Sequence, residues 1–226
     1  MKRWIEFGLL LALSSMLFTA QAQTPASCPP QAQLPTPQQL QAAASNARDR
    51  GLLWRLTRDG RTAYLYGSIH VGKLEWAFPG PQMHAALAAS DTVALEIDVG
   101  DPQMAALIPR EAAATQRLVG QMLAQLEQGS AQRVLARLAA AWERGDLAEL
   151  ADYARWCDCA VSDDDRALMQ RLNDERNPAL ADAIEAQHRH GRKLFAAVGA
   201  LHMTGPKALP ALLAQRGFKV ERVALQ

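Results

Sequence analysis

Apolar positions along the chain fall into two regimes. Near both ends they come as short runs of β-prone residues: Leu52–Thr57, Thr62–Gly67, Asp91–Asp98, Lys193–Val198 and Phe218–Val223. Runs of this length read as strands. Between residues 101 and 190, alanine and leucine recur at helical spacing and no strand pattern interrupts them. The first two runs flank Arg58-Asp59-Gly60-Arg61, and Asp-Gly between β-prone runs predicts a hairpin. A helix is predicted over Pro81–Ala89, with proline near its start. The last unit reads strand, helix (Pro206–Gln215, ended by Gly217), strand, which is a βαβ unit with parallel strands. The predicted fold is therefore α/β, an α+β mixed sheet. An N-terminal hairpin and parallel βαβ strands surround a central sheet, with a helical insertion over residues 101–190.

Within the insertion, breaks are predicted near Gly129-Ser130, Gly145-Asp146 and Ser162-Asp163. Ser130 and Ser162 are the expected N-caps. Asp163-Asp164-Asp165 at a helix start complements the helix dipole better than it suggests a metal motif. Ahead of the domain, residues 1–22 read as a signal peptide: Lys2 and Arg3, an apolar run Phe7–Phe18, then Ala20-Gln21-Ala22. The expectation is a periplasmic or secreted protein with no stable membrane insertion after cleavage near Ala22. Residues 23–50 form an N-terminal arm, with a short helix around Thr36–Asn46, and the domain proper spans 51–226.

Removing residues 1–22 takes away Lys2, Arg3 and Glu6 and leaves 22 basic against 22 acidic residues. That balance gives no reason to expect nucleic acid as a partner. The three cysteines, Cys28, Cys157 and Cys159, lack zinc-site or thioredoxin spacing. In an oxidising compartment one disulfide is expected, pinning the arm to the Trp156–Cys159 region; a Cys157–Cys159 bridge is the alternative.

The candidate chemistry begins with a repeated pattern. Ala63–Tyr66 runs into Gly67-Ser68-Ile69-His70, and Leu194–Val198 runs into Gly199-Ala200-Leu201-His202. Ligands of open α/β sheets bind outside the carboxyl ends of the strands. Two histidines leaving two strand ends in the same manner would converge on one crevice. Glu96 lies in a third apolar run, and a buried carboxylate needs a partner or a ligand to hold. Asp98 follows it, closer to solvent. His84 lies inside a predicted helix and is a weak candidate. Trp76 and Phe78, in the loop after His70, would either wall a substrate site or pack beneath their own loop.

The hairpin into Gly67-Ser68-Ile69-His70, the strand with Glu96, the Glu175-Arg176-Asn177 cluster and Val198-Gly199-Ala200-Leu201-His202 together resemble the TraB/GumN family, which also contains the Tiki proteases. Gly205 and Arg216-Gly217-Phe218 extend the resemblance, which covers roughly residues 50–224. It implies an α/β fold with a helical insertion and a metal-dependent hydrolase, Tiki members cleaving peptide bonds. Carried onto this chain, it makes His70 and His202 the histidines of the two motifs, Glu96 the glutamate and Arg176 the arginine. The family is also similar in fold to erythromycin esterases and to the haem-handling ChaN lipoproteins. Many bacterial members are longer, and the helical middle here is abbreviated.

In the chemistry this implies, His70 and His202 ligate a divalent metal (Mn, Co or Zn) whose bound water has a pKa of about 7. Glu96 completes the site or takes the water's proton. Arg176 stabilises an oxyanion or holds a substrate carboxylate. Asn177 and Trp76 are the expected contacts to a peptide or small-molecule substrate. A metal-free version has Glu96 orienting His70 as general base. The competing reading is a binding or scavenging protein for a peptide, a metal or haem. No Gly-x-Ser-x-Gly elbow offers a nucleophile.

Overall fold

A type I′ turn sets the sheet's direction. Asp59 (φ 53°) and Gly60 (φ 69°) both take the left-handed conformation that such a turn requires. They join β1 (Leu52–Arg58) to β2 (Arg61–Ser68) as the predicted hairpin. The computed structural model describes residues 33–97 and 112–225. The signal-peptide assignment, Cys28, Asp98 and the start of the insertion lie outside the described residues.

Five strands make one mixed sheet in the order β3-β4-β2-β1-β5, with β3 at Thr92–Leu95, β4 at Leu194–Gly199 and β5 at Lys219–Arg222. Strand β4 lies between β2 and β3 and is parallel to both. Strand β1 is antiparallel to β2 and to β5. Strands β4 and β5 therefore run in the same direction, as the βαβ pattern predicts, but β2 and β1 separate them.

Buried alternation on β2 (Ala63, Leu65, Gly67) and near-continuous burial on β4 put these two strands at the centre. One face carries Leu52, Trp54, Leu56, Leu65, Ala196 and Val198 into the main core. Helices α4 (Ser130–Glu143), α8 (Asn177–Arg189) and α9 (Leu209–Gln215) close this core with Trp142, Ala181, Ile184, Leu209 and Leu213. The other face buries less. Leu53 and Phe195 meet Ala86 of α2 (Pro81–Ala88) there.

The arm helix α1 (Pro37–Ser45) is capped by Thr36. The described part of the insertion is helical: α3 (Ala112–Glu127), α4, α5 (Leu147–Ala151), α6 (Tyr153–Trp156), α7 (Asp163–Leu172) and α8. Ser162 caps α7, as expected, and Asp165 completes a reciprocal box with it. Ser130 does not cap α4. Gly129, at φ 69°, holds the N-cap position, and Ser130 is already the first helical residue, buried, with its hydroxyl 3.5 Å from the Gln125 carbonyl. A left-handed entry selects glycine over serine. The disulfide joins Cys157 to Cys159 after α6 rather than reaching the arm.

One contact from the insertion bears directly on the first histidine motif. The indole N–H of Trp142, on α4, donates to the Gly67 carbonyl at 2.7 Å in the buried core. Trp142→Phe removes one of two donors to that carbonyl, which also faces the Leu52 N–H across the hairpin, at a cost of about 1 kcal/mol. Urea denaturation should show this loss; an unchanged midpoint would mean that the indole bond adds nothing to the ladder bond.

Candidate functional site

Three neighbouring strands deliver the candidate residues to one edge of the sheet. Ser68 of β2 pairs with Gly199 of β4, and Leu95 of β3 pairs with Ala197. His70, Glu96 and His202 thus leave the sheet at the carboxyl ends of adjacent parallel strands. The glycines of the two motifs are explained by close approach. A Cβ on Gly67 would lie 3.2 Å from the Ala200 backbone and 3.1 Å from Leu52, so its absence lets the second motif pass against the first. A Cβ on Gly199 would lie 3.1 Å from Glu96 Oε2. Without it, the Gly199 N–H reaches that oxygen and donates at 2.9 Å.

Beyond Gly199 the chain winds into a 3-10 turn, Ala200–Met203, which carries His202 into the interior at 3% exposure. Asn177 sits at the start of α8 and is fully buried. Its amide nitrogen donates to the carbonyls of His202 (3.2 Å) and Lys207 (2.8 Å). Only the NH₂ end can do this, so Oδ1 faces His202 Nδ1, at 2.6 Å. The hydrogen on that ring nitrogen is therefore at Nδ1. The other nitrogen, Nε2, faces Glu96 Oε1 at 3.4 Å.

Glu96 Oε1 also accepts from Arg176 Nη1 at 2.8 Å. The carboxyl is pulled from an ordinary 4.5 to about 2, chiefly by a hydrogen bond from His202, which requires a hydrogen on Nε2 as well as on Nδ1. Partial burial opposes this, and the Gly199 N–H and the Arg176 charge assist it. The Arg176 side chain is 36% exposed, and Nε and Nη2 carry no hydrogen bond among the described residues.

The expected residues are only partly gathered. Glu96, Arg176 and His202 form one network. His70 stands apart from it, exposed in a bend after β2, without a hydrogen bond or ion pair among the described residues. Asn177, expected to touch substrate, is instead sealed from solvent and positions His202. Trp76 stacks against Trp142, ring centroids 4.9 Å apart, and donates to Glu143 at 3.1 Å, the packing alternative for that loop. The metal-free scheme needed Glu96 on His70, but Glu96 lies against His202. Among the described residues, no three His, Cys, Asp or Glu side chains gather to hold a metal. A cavity of about 340 Å³ adjoins the network through Asn173, Asp174, Leu201 and Thr204, though none of Glu96, Arg176 and His202 lines it.

Residues 52–118 and 103–222 match the model of the TraB/PrgY/gumN family. The chain belongs to that family. The matched segments take in the whole sheet, both Gly-x-x-His motifs, Glu96 and Arg176, in agreement with the resemblance read from these residues. No curated protein and no solved structure matches the chain.

Sequence reasoning missed Trp142 and the positioning role of Asn177. Asn-Pro at a helix start marks an N-terminus; nothing in the Ala-rich α4 pattern distinguishes Trp142 from core filler.

The depressed Glu96 pKa has a measurable consequence. A carboxyl lower in the fold than in the unfolded chain stabilises above about pH 4.5 and loses that contribution as pH falls toward 2. With chelator present, urea midpoints at pH 7, 4 and 3 should fall more steeply in wild type than in Glu96→Gln. Parallel curves would show that the carboxylate gains nothing from its partners.

Proposed function

We propose that this TraB/PrgY/gumN-family chain is an exported metal-dependent hydrolase, acting on a peptide or similar carbonyl substrate at the carboxyl ends of β2, β3 and β4. Export is supported by Lys2, Arg3 and the apolar run that follows. The observation that carries the hydrolase reading is the pair Glu96 Oε1 and His202 Nε2, 3.4 Å apart, with Nδ1–H held by Asn177. Histidines that ligate metals donate their other ring N–H to such a fixed acceptor.

The donor chemistry suits Mn²⁺, Co²⁺ or Zn²⁺, but only two donors are gathered among the described residues. His70, at the end of the neighbouring strand, is the candidate third. Bound there, the ion would supply a polarised water. The chain's own residues do the rest. Glu96, with its pKa near 2, is a poor proton acceptor at neutral pH. It serves as a fixed negative charge that orients Arg176 and His202. Arg176, 36% exposed with Nε and Nη2 unbonded among the described residues, would hold an oxyanion or a substrate carboxylate.

Titration calorimetry with the three ions tests this, on wild type, Glu96→Gln, His70→Ala and His202→Ala, each checked for folding by circular dichroism. One tight site, lost in His202→Ala and Glu96→Gln and weakened about 10–100-fold in His70→Ala, is expected, with peptide turnover requiring the same ion. Histidine-independent binding, or none, sinks the metal-dependent version. The burial of His202 favours a second reading, a binding protein that retains its ligand. A peptide bound and recovered intact after prolonged incubation, or a visible haem band on adding haemin, would favour that reading over turnover.

A further inference from the structure

At the other end of the sheet, where β2 and β4 begin, lies a second pocket, of about 640 Å³. Its floor is the sheet face that the helices cover less, with Arg55 and Tyr64 as cross-strand partners and Thr62 next to them. The loop Gly191-Arg192-Lys193 and the end of α2 at Ala89 form its walls, and Arg61 stands at the hairpin side. Strand β4 runs six residues between this pocket and Gly199. At 3.3 Å per residue, the two ends are roughly 17 Å apart.

The charge of this pocket is one-sided. Arg55, Arg61, Arg192 and Lys193 all line it, and none of their side chains makes a hydrogen bond or ion pair among the described residues. The nearby carboxylates are already engaged. Asp91 accepts the Thr92 hydroxyl at 2.7 Å and the Lys193 backbone N–H at 3.1 Å. Glu221, beside Arg55, pairs with Lys219 at 2.7 Å, and Asp59 with Arg58 at 3.6 Å. The whole chain carries a formal charge of only +1, so four cations around one concavity, offset only in part by the charges of Asp91 and Glu221 beside it, concentrate a positive potential there. The hydroxyls of Thr62 and Tyr64 are also unbonded among the described residues and add donors. The volume suits a small molecule.

We propose that this pocket binds a phosphate-bearing anion, at a site separate from the Glu96–His202 network and independent of the hydrolase reading. Guanidinium forks match phosphate oxygens two at a time. Three arginines, a lysine and two hydroxyls can meet several such oxygens at once, and the Tyr64 ring offers an apolar floor for the body that carries them.

The test is calorimetric titration of the purified protein with inorganic pyrophosphate at low ionic strength. Saturable one-to-one binding is expected, weakened at least about tenfold in Arg61→Ala/Arg192→Ala, since each variant side chain removes charge-assisted hydrogen bonds. Arg133→Ala/Arg155→Ala removes the same charge from the helical insertion and should leave binding within about twofold. Sedimentation with phosphatidylglycerol or phosphatidylcholine vesicles distinguishes the source. Phosphatidylglycerol binding displaced by pyrophosphate identifies a lipid headgroup; pyrophosphate binding alone identifies a soluble phosphate compound. Both outcomes support the site when they depend on Arg61 and Arg192. Binding in neither arm, or equal loss in both double variants, overturns it.

Discussion

The carboxylate of Glu96 joins three parts of the chain that are distant in sequence. It directly follows β3, accepts the backbone N–H of Gly199 on β4, and takes the guanidinium of Arg176 from the head of α8. His202 closes the group from the turn after β4. A half-buried charge is costly without such partners. Much of the local architecture follows from supplying them: a glycine where a Cβ would press on Oε2, a turn that brings the imidazole inward, and a helix that begins at the carboxylate. Ion pairs of this kind contribute less to net stability than to fixing one arrangement among competitors. Here the arrangement fixed is the one that aligns three strand ends.

The helical insertion holds that arrangement from above. Helix α4 reaches the first motif through Trp142, whose indole N–H takes the Gly67 carbonyl. Helix α8 reaches the second through Asn177, which fixes both the His202 ring and its carbonyl. Both helices bury apolar side chains against the same sheet face. Each motif is thus held by a polar contact from an element whose position hydrophobic packing already sets.

The features legible in the sequence are those that local chemistry decides. Asp59-Gly60 demands a turn with two positive φ values, and the structure has it. Ser162 just ahead of an acidic first turn is an N-cap signal, and it caps α7. The two glycine-histidine motifs could be placed at strand ends because each follows an apolar run, and their adjacency follows from β2 and β4 pairing in parallel. Features decided by tertiary contact were not legible. The side chain of Asn177 looks like any polar residue beside Pro178 until the His202 and Lys207 carbonyls arrive from residues 25 and 30 positions away. Ser130 is a good cap by type, yet Gly129 takes the left-handed entry. The placement of β5 beside β1 depends on where α9 packs, and no residue in the strand itself records that.

The way the network spends its hydrogen bonds constrains its chemistry. His202 is buried, with Nδ1 committed to Asn177 and Nε2 directed at Glu96. Glu96 has both oxygens engaged. Neither group is therefore available as an exposed acid or base in this arrangement, and a molecule arriving from solvent meets the outer edge of Arg176 and, one strand over, His70. Arg176 can recognise negative charge there, while the buried pair holds charge in place behind it. This division also explains why a Glu96→Gln substitution bears on both stability and site chemistry: the carboxylate that anchors α8 to the sheet also orients Arg176.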